Sequence, residues 1–97
     1  VKEIVFQKTD IECDIVPHIL PIKILNNKRN KIFDLLTENN IGVGIHYKPN
    51  HLLTYFKSSY NLSVTEKLYS EIISLPLHPE ILEGDVINIS NLIQTNL

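Results

Sequence analysis

Methionine is absent from this 97-residue chain, which begins at valine. Either an initiating residue was removed or the chain is a piece of a longer polypeptide, and the second reading is preferred. A domain cut from a larger enzyme carries only part of an active site. Cysteine is nearly absent as well. The single thiol, Cys13, cannot form an internal disulfide, which suits a reducing compartment. Its acidic neighbours Glu12 and Asp14 disfavour the thiolate a nucleophile needs. Arginine occurs once, at Arg29. With a formal charge of −2 and a pI near 6.1, the chain lacks the basic face that a nucleic-acid partner requires. No apolar run reaches the roughly 18–20 residues of a membrane span, and Val1-Lys2-Glu3 does not open a signal peptide. A cytoplasmic location with no membrane partner is expected. What is present, 43% hydrophobic and 21% charged residues, is an ordinary globular composition, and the length suits a single domain, 1–97, around one core.

Taken in order, Ile4-Val5-Phe6 reads as a short strand and Thr9 to Asp14 as a solvated acidic loop. Pro17 to Leu25 is rich in β-branched residues and reads as a second strand. Pro21 cannot donate to a ladder, so the pattern predicts an edge strand or a bulge there. Asn27 is a suitable N-cap for a helix from Lys28 to about Asn39, with Ile32, Leu35 and Leu36 on its apolar face and Asn39-Asn40 ending it. A strand follows over Ile41 to Ile45, then a loop, and Leu52 to Phe56 reads as a helical turn packing that loop onto the core. Ser63-Val64-Thr65-Glu66 has the form of a capping box. It opens a helix to about Ser74, with Val64, Leu68, Ile72 and Ile73 facing inward. Leu75 to Pro79 is extended, and a last helix from about Glu83 to Gln94 buries Val86, Ile89 and Ile93, with a weak start at Glu83-Gly84. The sum is an α+β domain, a small sheet of three to four strands packed against helices.

The chemistry concentrates in one stretch, Gly42-Val43-Gly44-Ile45-His46-Tyr47-Lys48-Pro49-Asn50-His51. Titratable groups that directly follow a strand are held by a rigid element yet remain accessible. His46 and His51 are five residues apart, a spacing that puts them on different faces of a helix and far apart in an extended loop, so a zinc pair is set aside. Gly42 and Gly44 precede no helix N-terminus and do not form a phosphate cradle. They are better explained by close backbone approach or a bulge. His18 reads as a packed or hydrogen-bonded structural residue rather than a ligand. What survives is a loop suited to hydrogen-bonding a polyhydroxylated or anionic ligand: His46, Tyr47 and His51 each donate and accept, and Lys48 adds a positive charge. From the residues alone, a split between core and surface with no ligand is an equally open reading.

The run from Gly42 to Phe56 resembles the C-terminal domain of the DegT/DnrJ/EryC1/StrS aminotransferases, the pyridoxal-phosphate-dependent sugar aminotransferases. Pro17-His18-Ile19-Leu20-Pro21-Ile22, Val64-Thr65-Glu66-Lys67-Leu68-Tyr69 and Ser74-Leu75-Pro76-Leu77-His78-Pro79 are similar to the flanking segments of that family, in order from about Ile15 to Ile93. Asn40 stands where glycine is common in the family.

The resemblance implies the small C-terminal domain of a fold-type I aminotransferase. Such an enzyme moves an amino group from a donor such as glutamate to a nucleotide-linked keto-deoxysugar, feeding surface polysaccharide, O-antigen or related amino-sugar pathways. It implies a homodimer with the active site at the subunit interface, and pyridoxal 5'-phosphate as cofactor of the whole enzyme. None of the eight lysines sits in a motif matching the Schiff-base lysine, so no catalytic and no cofactor-binding residue is expected in this chain. By the resemblance, His46, Tyr47, Pro49 and His51 border the substrate pocket, with Lys48 and Asn50 as further candidates. The isolated chain is expected to be inactive. The rival reading is a stand-alone, non-catalytic α+β binding or dimerisation module. A small ferredoxin-like nucleic-acid binder is disfavoured by the charge.

Overall fold

A computed structural model describes residues 2–57 and 59–97, and Val1 and Ser58 lie outside it. Three strands, β1 (Ile4–Phe6), β2 (Leu20–Ile24) and β3 (Ile72–Leu75), and three helices, α1 (Arg29–Glu38), α2 (Ser63–Glu71) and α3 (Glu83–Asn96), make up the described residues together with a short 3-10 turn at Asn50–Leu52. The sheet is antiparallel in the order β1-β2-β3, and the domain is α+β as expected. Instead of a fourth strand over Ile41 to Ile45, there is a single bridge, Gly44 to Ser74.

β2 is therefore the central strand, not the edge that Pro21 predicted, and the register explains how proline fits. Pro21 stands opposite Ser74, whose N–H donates to the Gly44 carbonyl at 2.8 Å and whose carbonyl accepts from Gly44 at 3.2 Å. Ser74 thus directs both backbone groups away from β2, which makes Pro21–Ser74 a non-hydrogen-bonded pair. The donor that Pro21 lacks would face the β1 side, beyond the last pair there, Phe6–Ile22. No ladder bond is lost.

One face of the sheet carries the core. Ile22 and Ile24 of β2, Ile73 of β3, Ile32 and Leu36 of α1, and Ile89 and Ile93 of α3 are buried together. Two of the three helices cover this face, and α2 lies near β2 with Leu68 and Ile72 lining a cleft on the sheet's outer side.

Helix ends follow from local backbone chemistry. Asn26 and Asn27 both have positive φ, 61° and 58°, and Lys28 N–H closes the turn onto Leu25 O at 3.3 Å, so Asn27 is a turn residue and Lys28, not Asn27, is the N-cap. Two consecutive left-handed residues suit asparagine and turn the chain sharply from β2 into α1. The end of α1 is as expected. Asn40 is left-handed at φ 60°, and the Ile41→Leu36 and Asn40→Thr37 bonds form a Schellman motif.

The capping box at Ser63 does not form: Leu62 is the N-cap and no side chain caps it. Glu66 turns to His51 instead. α2 ends at Glu71, three residues early, because Ile72 to Leu75 pair with β2. Val64, expected inward, is 82% exposed, and Leu68 is also exposed. The turn expected over Leu52 to Phe56 lies at Asn50–Leu52, and Tyr55 and Phe56 are exposed rather than packed on the core. α3 starts more firmly than its sequence suggested, since the Asp85 carboxylate accepts from Leu82 N–H at 3.1 Å and acidic side chains suit a helix N-terminus. Leu82 offers no side-chain acceptor, so this is one half of a capping box. Ile89 and Ile93 are buried as expected, whereas Val86 is exposed.

Candidate functional site

Gly44 starts the site. Its bridge to Ser74 lays the segment leading to His46 against β3. A Cβ at Gly44 would lie 2.8 Å from His46 Cε1 and 3.2 Å from its Nε2, so the imidazole rests over the glycine backbone. Close approach, one of the two expected roles of these glycines, is what Gly44 provides. Gly42 has open space around it.

His46 is half-buried, with Nδ1 2.8 Å from Ser74 Oγ. Ser74 is itself buried and shares a sheet face with Pro21, so the imidazole sits on the sheet's outer face, away from the helical core. There it closes one end of a cleft of about 390 Å³ lined by Val5, Pro21, Lys23, Ile72 and Leu68. On its other side, His46 and the exposed His18 line a second open cleft of about 360 Å³ along Gly42 and Gly44. His18 is thus not the packed residue its position suggested.

The next residues point outward. The His46–Tyr47 peptide is cis, and the two rings meet edge to face at a centroid distance of 4.7 Å. Tyr47 is 71% exposed, and Lys48 and Asn50 are exposed too. Pro49 is buried and leads into the 3-10 turn, whose Leu52 N–H donates to Pro49 O at 3.0 Å. His51 then turns inward. Its side chain is 8% exposed, and Nε2 lies 3.6 Å from Glu66 Oε2 of α2. That separation is too long for a hydrogen bond, and among the described residues Nε2 has no hydrogen-bond partner.

The six expected site residues therefore divide. His46 is hydrogen-bonded to β3 at one end of a loop, His51 is buried beside α2 at the other end without a hydrogen bond, and Pro49 between them is buried. Tyr47, Lys48 and Asn50 offer a phenol, an ammonium and an amide to solvent. This set can hydrogen-bond hydroxyls and pair with an anion. Sequence reasoning missed the partners, Ser74 and Glu66. Each stands inside a segment that resembles the family, but nothing local in the chain couples it to a histidine many residues earlier. Among the described residues, no three His, Cys, Asp or Glu side chains group as a metal site would require. No helix among the described residues is long and apolar enough to cross a membrane.

The profile of the DegT/DnrJ/EryC1/StrS aminotransferase family matches residues 1–94. The UDP-4-amino-4-deoxy-L-arabinose--oxoglutarate aminotransferase of Shewanella sediminis is 36% identical over 67 residues, covering 60% of this chain and 17% of that protein. Among solved structures, a DegT DnrJ EryC1 StrS aminotransferase from Brucella abortus is 34% identical with a TM-score of 0.68, over 79% of this chain and 21% of that one. The Helicobacter pylori aminotransferase PseC, involved in the biosynthesis of pseudoaminic acid, is 25% identical with a TM-score of 0.73, over 81% and 23% of the two chains. The chain spans only about a fifth of the length of the curated relatives it matches, 22% and 17%.

Proposed function

The chain belongs to the DegT/DnrJ/EryC1/StrS aminotransferase family, and from that premise we propose that it is the C-terminal small domain of a pyridoxal-phosphate-dependent sugar aminotransferase. The reaction moves an amino group, with glutamate as donor, to a nucleotide-linked keto-deoxysugar for surface polysaccharide or a related amino-sugar product. The enzyme works in the cytoplasm as a homodimer. The observation that carries this reading is the family match over 1–94 together with a loop held at one end by the His46–Ser74 hydrogen bond and buried at the other at His51, while Tyr47, Lys48 and Asn50 are exposed.

The cofactor belongs to the rest of the polypeptide. Among the described residues no lysine is buried. Lys23 and Lys28 are half-buried and face Glu71 and Glu3 at 4.0 and 3.9 Å, and the others are exposed. None of these lysines is assigned to the Schiff base, and no step of the chemistry is routed through them. Pyridoxal phosphate supplies the electron sink where it is bound. This domain supplies orientation and helps exclude water. Lys48 pairs with the charge of the nucleotide portion, Tyr47 and Asn50 take hydroxyl or carbonyl groups, and His46, Pro49 and His51 border them from beneath.

The test is to express the full natural polypeptide that carries this chain, look for visible absorbance from bound pyridoxal phosphate, and measure Lys48→Ala and Tyr47→Phe. A charge-assisted hydrogen bond is worth about 1.5–3 kcal/mol. Lys48→Ala is therefore expected to raise the sugar KM roughly ten- to a hundredfold while leaving that of the amino donor in place. A colourless protein, or one whose affinity for nucleotide sugars ignores both substitutions, refutes the proposal and favours a non-catalytic module.

A further inference from the structure

Arg29 is the only arginine in the sequence, and with Ser74 it is one of two buried polar or charged residues among those described, 8% exposed. It takes no part in the site as assigned so far. Its Nη1 donates to Tyr69 O at 2.9 Å and to Ile72 O at 3.1 Å. Nε donates to Asn30 Oδ1 at 2.7 Å, and the guanidinium carbon lies 5.7 Å from the Tyr69 ring centroid. The two carbonyls belong to the last turn and C-cap of α2, where a helix leaves acceptors without intrahelical donors and where positive charge is favoured.

The place of those carbonyls decides what Arg29 holds. Three residues before Tyr69 stands Glu66, which faces His51. Two residues after Ile72 stands Ser74, which meets His46. Both residues that face the loop's histidines issue from the one segment that the guanidinium fastens to the start of α1.

We propose that Arg29 is a positioning residue for the loop Tyr47 to Asn50: it clamps the junction of α2 and β3 so that Ser74 hydrogen-bonds His46 while Glu66 stands beside the buried His51. That the loop receives a nucleotide sugar rests on the function proposed above, but the clamp itself does not. An arginine with only a general structural role would weaken the whole domain when lost, whereas a clamp at this junction releases the loop before the core. Lysine keeps the charge but presents one compact ammonium and cannot reproduce the fork that reaches both carbonyls and Asn30. Methionine keeps volume and leaves the carbonyls without donors.

The experiment uses the full natural polypeptide as wild type, Arg29→Lys and Arg29→Met, with Ile93→Val in the core as a control for simple loss of stability. Hydrogen exchange over residues 45–53 is expected to quicken on the order of tenfold in Arg29→Lys and more in Arg29→Met, because the loop opens locally. Ile93→Val is expected to lower the denaturation midpoint while leaving this segment within about twofold of wild type. The sugar KM rises on the order of tenfold in Arg29→Lys as the loop is misplaced, and the KM of the amino donor does not change. If the loop exchanges no faster in the arginine variants than in Ile93→Val at equal loss of stability, the proposal is overturned. If loop exchange quickens and the sugar KM stays put, the clamp stands and the substrate role of the loop falls. Should Arg29→Met not fold, Arg29→Lys alone decides, because it keeps the charge that the α2 terminus requires.

Discussion

Substituting Gly44 by alanine is a one-carbon test of how His46 is held. No glycine among the described residues has positive φ, so alanine meets no backbone strain at Gly44, and any cost comes from what its methyl touches. That group would lie 2.8 Å from His46 Cε1, and the imidazole can retreat only by giving up its 2.8 Å contact with Ser74 Oγ. Forcing a methyl into a packed site costs about 1–3 kcal/mol, and the gain from restricting the unfolded chain returns about 0.4–1 kcal/mol. The net expectation is a loss within about 0–2.6 kcal/mol and centred on about 1.3 kcal/mol, the centre corresponding to roughly 5–10 °C in midpoint for a domain of this size. Gly42→Ala is the matched control. Nothing lies within 4 Å of a Cβ there, so only the unfolded-state gain of about 0.4–1 kcal/mol remains. Urea denaturation of both variants reads the difference. In a Ser74→Ala background the imidazole has already lost its partner, so the Gly44→Ala cost is expected to shrink by about 0.5–1.5 kcal/mol, the worth of that bond. If Gly44→Ala is as stable as Gly42→Ala, or its cost is the same without the serine hydroxyl, His46 is not held as described.

Other substitutions follow from the same backbone facts. Asn40 sits at φ 60° in the Schellman motif that ends α1, so Asn40→Ala is expected to cost about 1–2 kcal/mol and Asn40→Gly to be neutral or stabilising, read by thermal denaturation. Asp85→Ala removes the first-turn carboxylate that accepts from Leu82 N–H and is expected to cost about 0.3–1 kcal/mol, with faster amide exchange confined to the first turn of α3. Ser63→Ala, at a position whose sequence reads as a cap but whose side chain caps nothing, is expected to change stability by less than about 0.5 kcal/mol. A loss of the usual capping size would restore the capping box.

The parts of the fold visible in the sequence are those decided within one turn of the chain. The apolar positions Ile32, Leu35 and Leu36 mark the buried stripe of α1, and Asn39-Asn40 marks its end, because a left-handed asparagine closes a helix with its own neighbours. The failures share a cause. Leu68, Ile72 and Ile73 fit a helical period as well as a strand, and the choice fell to β2, nearly fifty residues earlier, which pairs with Ile72 and Ile73. Pro21 argued against a central strand only because local chemistry does not say on which side its missing donor falls. The partner across the ladder decided that.

The site divides along the same line. Its side chains were visible, since a phenol, an ammonium and two imidazoles crowded behind a glycine-bearing segment stand out in any reading, and the family resemblance proposes a purpose for them. Which of them face a ligand was not legible. A histidine written in sequence is equally able to bind a substrate or to brace a backbone, and what separates the two is whether a second polar group reaches it first. Ser74 reaches His46, and α2 covers His51. Both depend on where α2 gives way to β3, and that junction is fixed from a third place, Arg29. The exposed Tyr47 and Lys48 are thus the end of a chain of contacts that runs from the first turn of α1 through two carbonyls to two side-chain oxygens. A substitution at the start of that chain should be felt in the loop, although Arg29 stands in the first turn of another element.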